Sequence, residues 1–204
     1  MFEQTQLTKT LGGLGLGEDP EIFHQLKVTY TEHGRYYHDD SHITECLSQF
    51  QHYMKLAEHP HEIEIAIWFH DAIYDTHKLD NEEQSAAWAK RYLLGAGANR
   101  QSVNRIVKMI LATKNHQVTS VDSKLMLDID LGILGAPSAH FEKYDQAIRQ
   151  EYHWVPEEHY RVGRTEVLRG FLDRDVIYHT GIIREKLEES ARDNLTRKIA
   201  ELSE

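Results

Sequence analysis

The sequence predicts an all-α protein, and three observations carry that expectation. Apolar residues recur at spacings of three and four, as in Val103, Ile106, Val107, Ile110 and Leu111. Helix start signals are frequent: Asp19-Pro20, Pro60, Asp80 with Glu83 three residues on, Asn99, Asp122, Pro137 and Pro156. Only Val176-Ile177-Tyr178 reads as a strand. Roughly nine or ten helices follow from these signals.

In chain order, residues 1–18 form a loose lead-in ending in the glycine-rich stretch Gly12 to Gly17. No strand precedes those glycines and Pro20 follows, which argues for a turn and against a phosphate-cradling loop. Asp19 caps and Pro20 begins a helix to about Tyr30. Arg35-Tyr36-Tyr37-His38-Asp39-Asp40-Ser41-His42 leads into a helical run to Glu58, where His38 and His42 share a face if the helix begins early. From Pro60 the chain enters residues 63–75, IEIAIWFHDAIYD, in which Ile63, Ala66, Ile67, Phe69 and Ile73 recur as in a buried helix. Asp80 and Glu83 read as a capping box for a helix to about Leu94, closed by Gly95 and Gly97.

Asn99 or Ser102 starts the next helix, ending near Lys114-Asn115-His116. Asp122 caps a run over 123–135, and helices follow over 137–154 and 156–173. A final amphipathic helix over 182–202 suits packing on the core or on a second copy, so a homodimer is compatible with it. No linker, repeat or low-complexity stretch interrupts the chain, and 1–204 reads as one domain.

Composition narrows the function classes. Forty per cent hydrophobic and 27% charged residues are ordinary for a soluble globular protein. No apolar run approaches the ~20 residues of a membrane helix, and the first ten residues lack the layout of a secretory signal. Cys46 is the only cysteine, which excludes an intramolecular disulfide and a thiolate-based zinc site and fits a reducing cytoplasm. A net charge of −10 with no basic block argues against duplex nucleic acid as a partner. A small phosphorylated substrate stays compatible where a local metal and a few arginines overcome the global field. The fourteen histidines are spread from His24 to His179, unlike an affinity tag.

The adjacent pair His70-Asp71 sits in an otherwise apolar run. Burying an imidazole and a carboxylate together costs several kcal/mol unless something compensates. Either a divalent metal takes both as ligands, or the histidine is a core residue hydrogen-bonded to its neighbour. Asp128 and Asp130, among Leu125, Met126, Ile129, Leu131, Ile133 and Leu134, pose the same problem.

His42, then His70-Asp71, then Asp130 have the order and spacing of the HD superfamily of metal-dependent phosphohydrolases. The chain resembles in particular a subgroup of about 200 residues. Its pattern is matched by Arg35-x-Tyr37-His38-x-x-x-His42-Ile43, Trp68-Phe69-His70-Asp71-Ala72-x-Tyr74 and Asn81-Glu82-Glu83-x-Ser85-Ala86. It continues in Thr113-x-x-His116, Leu127-Asp128-x-Asp130-Leu131-x-Ile133-Leu134-Gly135, Arg149-x-Glu151-Tyr152, Gly163-Arg164 and Ala191-Arg192-x-Asn194-Leu195. The resemblance implies an HD-domain helical bundle whose ion is held by His42, His70, Asp71 and Asp130, with His38 and Asp128 as second choices.

The expected cofactor is one divalent ion, or two, of Mn, Fe, Co, Ni, Zn or Mg; it acidifies bound water and polarises a phosphoryl group. Asp75, four residues after Asp71 on the same helical face, and His116 are candidates for proton transfer, with Glu83 either a cap or a base. Arg35, Lys114, Arg149 and Arg164 are candidates to contact phosphate. Tyr36, Tyr37, Tyr74 and Trp68 are candidates to wall a ring pocket. The expected activity is hydrolysis of a phosphate ester or anhydride, nucleotides included. The alternatives are a di-iron oxygenase of the same fold, with His38, His77 and His116 as extra ligands, and a nucleotide sensor without turnover.

Overall fold

A computed structural model describes residues 2–204, and the described residues form ten α-helices and no strand. They are α1 (Gln4–Gly13), α2 (Pro20–Tyr30), α3 (Asp40–Tyr53), α4 (Pro60–Phe69), α5 (Asn81–Gly95), α6 (Arg100–Thr113), α7 (Val121–Asp130), α8 (Ser138–Glu151), α9 (Glu157–Leu172) and α10 (Gly181–Leu202). Short 3-10 turns occupy Met54–Leu56 and Leu131–Gly135. None of these helices is long and apolar enough to cross a membrane. The chain gathers into two compact units, Met1–Ile129 and Asp130–Glu204.

The first unit is assembled around α4, which packs on α1, α3, α5 and α6. Every residue from Glu62 to Phe69 is buried. The two acids among them are matched by donors, as buried charges require. Arg105 donates from Nε to Glu62 at 2.7 Å and from Nη2 at 2.5 Å. Gln51 and Thr10 donate to Glu64 at 2.7 and 3.2 Å. Thr10 belongs to α1, a helix where the sequence suggests a loose lead-in. Only Leu7, Thr10 and Leu11 are buried along it, too few apolar positions for periodicity to register.

Several caps form where expected. Asp19 accepts from the backbone N–H groups of Glu21 and Ile22, with Pro20 opening α2, and Asn99 accepts from Gln101. Asp80 occupies the cap position of α5 without a side-chain cap, so the expected capping box with Glu83 does not form. Asp122 lies inside α7 and caps the turn entering α4 instead. Its carboxylate accepts from Glu58 N at 2.8 Å, His59 N at 3.1 Å and the His59 ring at 2.8 Å. The start of α7 is closed by two serines, Ser123 N donating to Ser120 Oγ and Ser120 N to Ser123 Oγ.

In the second unit α10 packs on α9 and on the 131–135 turn. The run expected as one helix over 123–135 is thus α7 followed by a tighter turn, which Asn194 pins by donating to Leu134 O and Ala136 O at 2.9 Å each. Tyr178 Oη donates to Leu131 O at 3.0 Å. Val176-Ile177-Tyr178 is not a strand, because Ile177 N and Tyr178 N donate to the Glu188 carboxylate. The helix expected over 137–154 stops at Glu151.

Gly135 is required by close approach. A Cβ there would lie 2.7 Å from both the Cβ and the backbone oxygen of Leu187. Gly135→Ala is expected to lower unfolding free energy by about 1–3 kcal/mol, measured by urea denaturation.

A second prediction concerns pH. Partial burial pushes Glu142 up, but hydrogen bonds from Lys198 and Arg197 outweigh this and hold its carboxyl below the ordinary value. A lowered folded pKa contributes stability above the unfolded value, about 4.3, and that contribution fades as pH falls through the folded value. Glu142→Gln should therefore melt lower than the parent at neutral pH, with the gap closing on acidification below about pH 4.

Candidate metal centre

Two helix ends build the centre. Asp39 caps α3 by accepting from Ser41 N at 2.9 Å and His42 N at 3.3 Å, which places His42 in the first turn and leaves His38 before the helix. The early helix start that would align His38 with His42 does not occur. At the other end α4 stops at Phe69, so the buried helix expected over 63–75 is shorter and His70-Asp71 lie just beyond it. His70 keeps helical backbone angles, donating its N–H to Ala66 O at 2.9 Å.

The side chains then converge. His42 Nε2 lies 3.3 Å from His70 Nε2, and Asp71 Oδ2 lies 3.1 Å from His70 Nε2 and 3.6 Å from His42 Nε2. His42 and His70 are buried, and the Asp71 side chain is 17% exposed. The chemistry of these atoms decides what fits between them. His70 Nδ1 sits 2.9 Å from Ile67 O, and a carbonyl only accepts, so Nδ1 carries the proton. In the neutral ring Nε2 is then a lone pair facing another imidazole nitrogen and a carboxylate oxygen. Three such donors at these spacings suit one ion at the ~2.0–2.2 Å of His and carboxylate ligands. Burial pushes the Asp71 carboxyl up, but where the neighbouring rings are protonated the charge and hydrogen bond of His70 foremost, then the charges of His38 and His42, outweigh it and hold the carboxyl well below the usual range. The acid is a carboxylate, ready to ligate.

Aromatic rings cover the pair. Tyr37 packs on His42 with centroids 4.7 Å apart, and His38 stacks on Tyr74 at 4.2 Å. Cys46, one turn after His42, brings Sγ to 3.8 Å from both of its ring nitrogens. Tyr30 donates to Trp68 O at 3.1 Å; burial, then the Asp71 charge, keeps it a neutral phenol. Trp68 itself is core, packed on Phe2 and Phe23, and not a pocket wall. Tyr36 is exposed.

Several of the other predicted residues fall elsewhere. Because α4 ends early, Asp75 does not share a helical face with Asp71. It lies in the 70–80 loop, accepting from His77 N at 3.0 Å, while Asn81 bonds its backbone N–H and C=O at 3.1 and 3.0 Å. Ser85 accepts from Ile73 N at 2.9 Å, so Asn81 and Ser85 shape this loop, a role that the sequence reading did not assign to them. Glu83 pairs with Lys114 at 2.6 Å on the surface, and Lys114 also donates to Leu79 O. His116 follows α6 with φ 51, the only non-glycine residue with positive φ among those described.

Arg35 is not open to phosphate, for its guanidinium donates to His38 O, Asp71 O and Ala72 O. Arg149 and Arg164 belong to the second unit. Arg149 donates to Glu157, Tyr152 O and Val155 O, and Arg164 is buried against Asp145 at 2.9 Å. Asp128 is fully buried in α7, and half-buried Asp130 ends that helix.

Binding to the folded state alone stabilises it by about 2.7 kcal/mol at a hundredfold excess over Kd. A divalent ion should therefore raise the melting temperature of the parent chain, and His70→Ala, which removes one donor, should abolish that rise in a thermal-shift titration. No family model, curated protein or solved structure matches the chain.

Proposed function

We propose that the protein is a metal-dependent phosphohydrolase of HD type that hydrolyses a small phosphate ester or anhydride, with nucleotides foremost among its substrates. The observation that carries this reading is the convergence of His42 Nε2, His70 Nε2 and Asp71 Oδ2 from two separate helix ends. Sequence order supports it, since these are the positions at which the HD pattern has its ligands. That pattern also supplies Asp130 as the fourth donor, ahead of Asp128.

A divalent ion so held polarises a phosphoryl oxygen and acidifies water. The chain's own residues supply the rest. Ile67 O fixes the His70 tautomer, keeping Nε2 as the ligating atom. Asp71 brings negative charge that offsets the cation. Asp75 is held below the ordinary carboxylate value, first by the His77 N–H, which weakens it as a base; His116 is the other candidate proton carrier. Among the four cationic candidates Lys114 suits phosphate best. Its bond to Glu83 is an exposed ion pair, readily exchanged for a substrate oxygen, whereas Arg35 is enclosed.

The test is elemental analysis of the purified protein, followed by a phosphate-ester and nucleotide screen in Mn, Fe, Co, Ni, Zn and Mg. Phosphate release is expected, with kcat/KM in His70→Ala reduced by more than the roughly 10–100-fold typical of losing an outer-shell partner. Iron absorbance with oxygen uptake and no phosphate release would point to the oxygenase alternative. Tight nucleotide binding without turnover would point to a sensor. A protein that holds no metal and turns over nothing sinks the reading.

A further inference from the structure

Arg35 is the most enclosed cation near the centre, its side chain 3% exposed. Gly34 precedes it with φ +99, a left-handed turn open to glycine at no steric cost, and this turn carries the chain into the His38–His42 segment. From there the guanidinium reaches across 36 residues of sequence. Nη1 donates to His38 O at 2.9 Å and to Asp71 O at 2.7 Å, and Nη2 donates to Ala72 O at 3.0 Å. Rings lie against the cation, with the Tyr30 centroid at 5.1 Å and the Tyr74 centroid at 5.6 Å. The carboxylate of exposed Glu32 lies 3.9 Å from its Nε.

We infer that Arg35 is a positioning residue for the metal centre, an inference that rests on the metal reading above. One planar group bonds carbonyls on both ligand-bearing segments, the loop that enters α3 and the turn that leaves α4. The Asp71 and Ala72 carbonyls lie past the end of α4, where the helix presents its negative pole, and a cation there is doubly suited. Arg35 thereby sets the separation of the His42 and His70 nitrogens while touching neither. Lysine cannot replace it, because a single ammonium does not present a rigid fork to three acceptors.

The experiment uses the full-length chain with Arg35→Ala and Arg35→Lys, and reads metal binding by chelator competition with Co and Zn. Both variants should keep their helical circular dichroism and bind metal about 10–100-fold more weakly, as losing an outer-shell partner does. Added guanidinium ion should restore part of the affinity of Arg35→Ala but not of a His70→Ala control. Parent-like affinity in either variant overturns the inference. A metal-free crystal structure of Arg35→Lys gives a second readout, in which the two Nε2 atoms should stand farther apart than 3.3 Å. An unchanged separation overturns the inference whatever the metal data say. A parent chain that binds no metal defeats the functional reading alone, and the crystallographic separation still decides the role of Arg35.

Discussion

The centre depends on where α4 stops. Had that helix run on as its apolar spacing suggests, His70 and Asp71 would point in directions set by helical geometry, about 100° apart. Past Phe69 the chain instead passes into a tighter turn, Ala72 N donating to Phe69 O at 3.1 Å, and Asp71 Oδ2 comes within 3.1 Å of His70 Nε2. The end is held from outside the helix. Asn81 and Ser85 bond the loop beyond it, and the Arg35 guanidinium collects the carbonyls that α4 no longer uses.

Buried acids elsewhere in the chain show what is unusual about Asp71. Glu62 meets Arg105, Glu64 meets Gln51 and Thr10, Asp122 meets two backbone N–H groups, and Asp145 meets Arg164. Each is neutralised by donors and contributes to packing. Asp71 faces two imidazole nitrogens, His70 Nε2 at 3.1 Å and His42 Nε2 at 3.6 Å.

Most helices were legible because their signals are local. Asp19-Pro20 and Asn99 cap as their side chains dictate, and α6 buries Val103, Ile106 and Ile110 as their spacing predicts, whereas Leu111 is exposed and Met109 is buried. Several failures involve a side chain or backbone group whose partner is remote in sequence. Asp122 caps a turn 63 residues away, Glu188 takes up the N–H groups of Ile177 and Tyr178 that a strand would have paired, and α1 is held through Thr10 by Glu64. Arg35 likewise looks like a free cation until its three carbonyls are in place.

By itself the sequence determined the all-α class, most helix positions, and the residue types able to ligate a metal, since periodicity, capping chemistry and donor identity are properties of neighbouring residues. Only the tertiary structure decided that His42 lies in the first turn of α3 with its Nε2 3.3 Å from His70 Nε2, and that Asp75 leaves the helical face of Asp71. It also decided that the four cations proposed for phosphate differ in exposure. Those outcomes rest on where helices end and on which distant groups satisfy their last carbonyls and N–H groups, and distance in space is not written in local order.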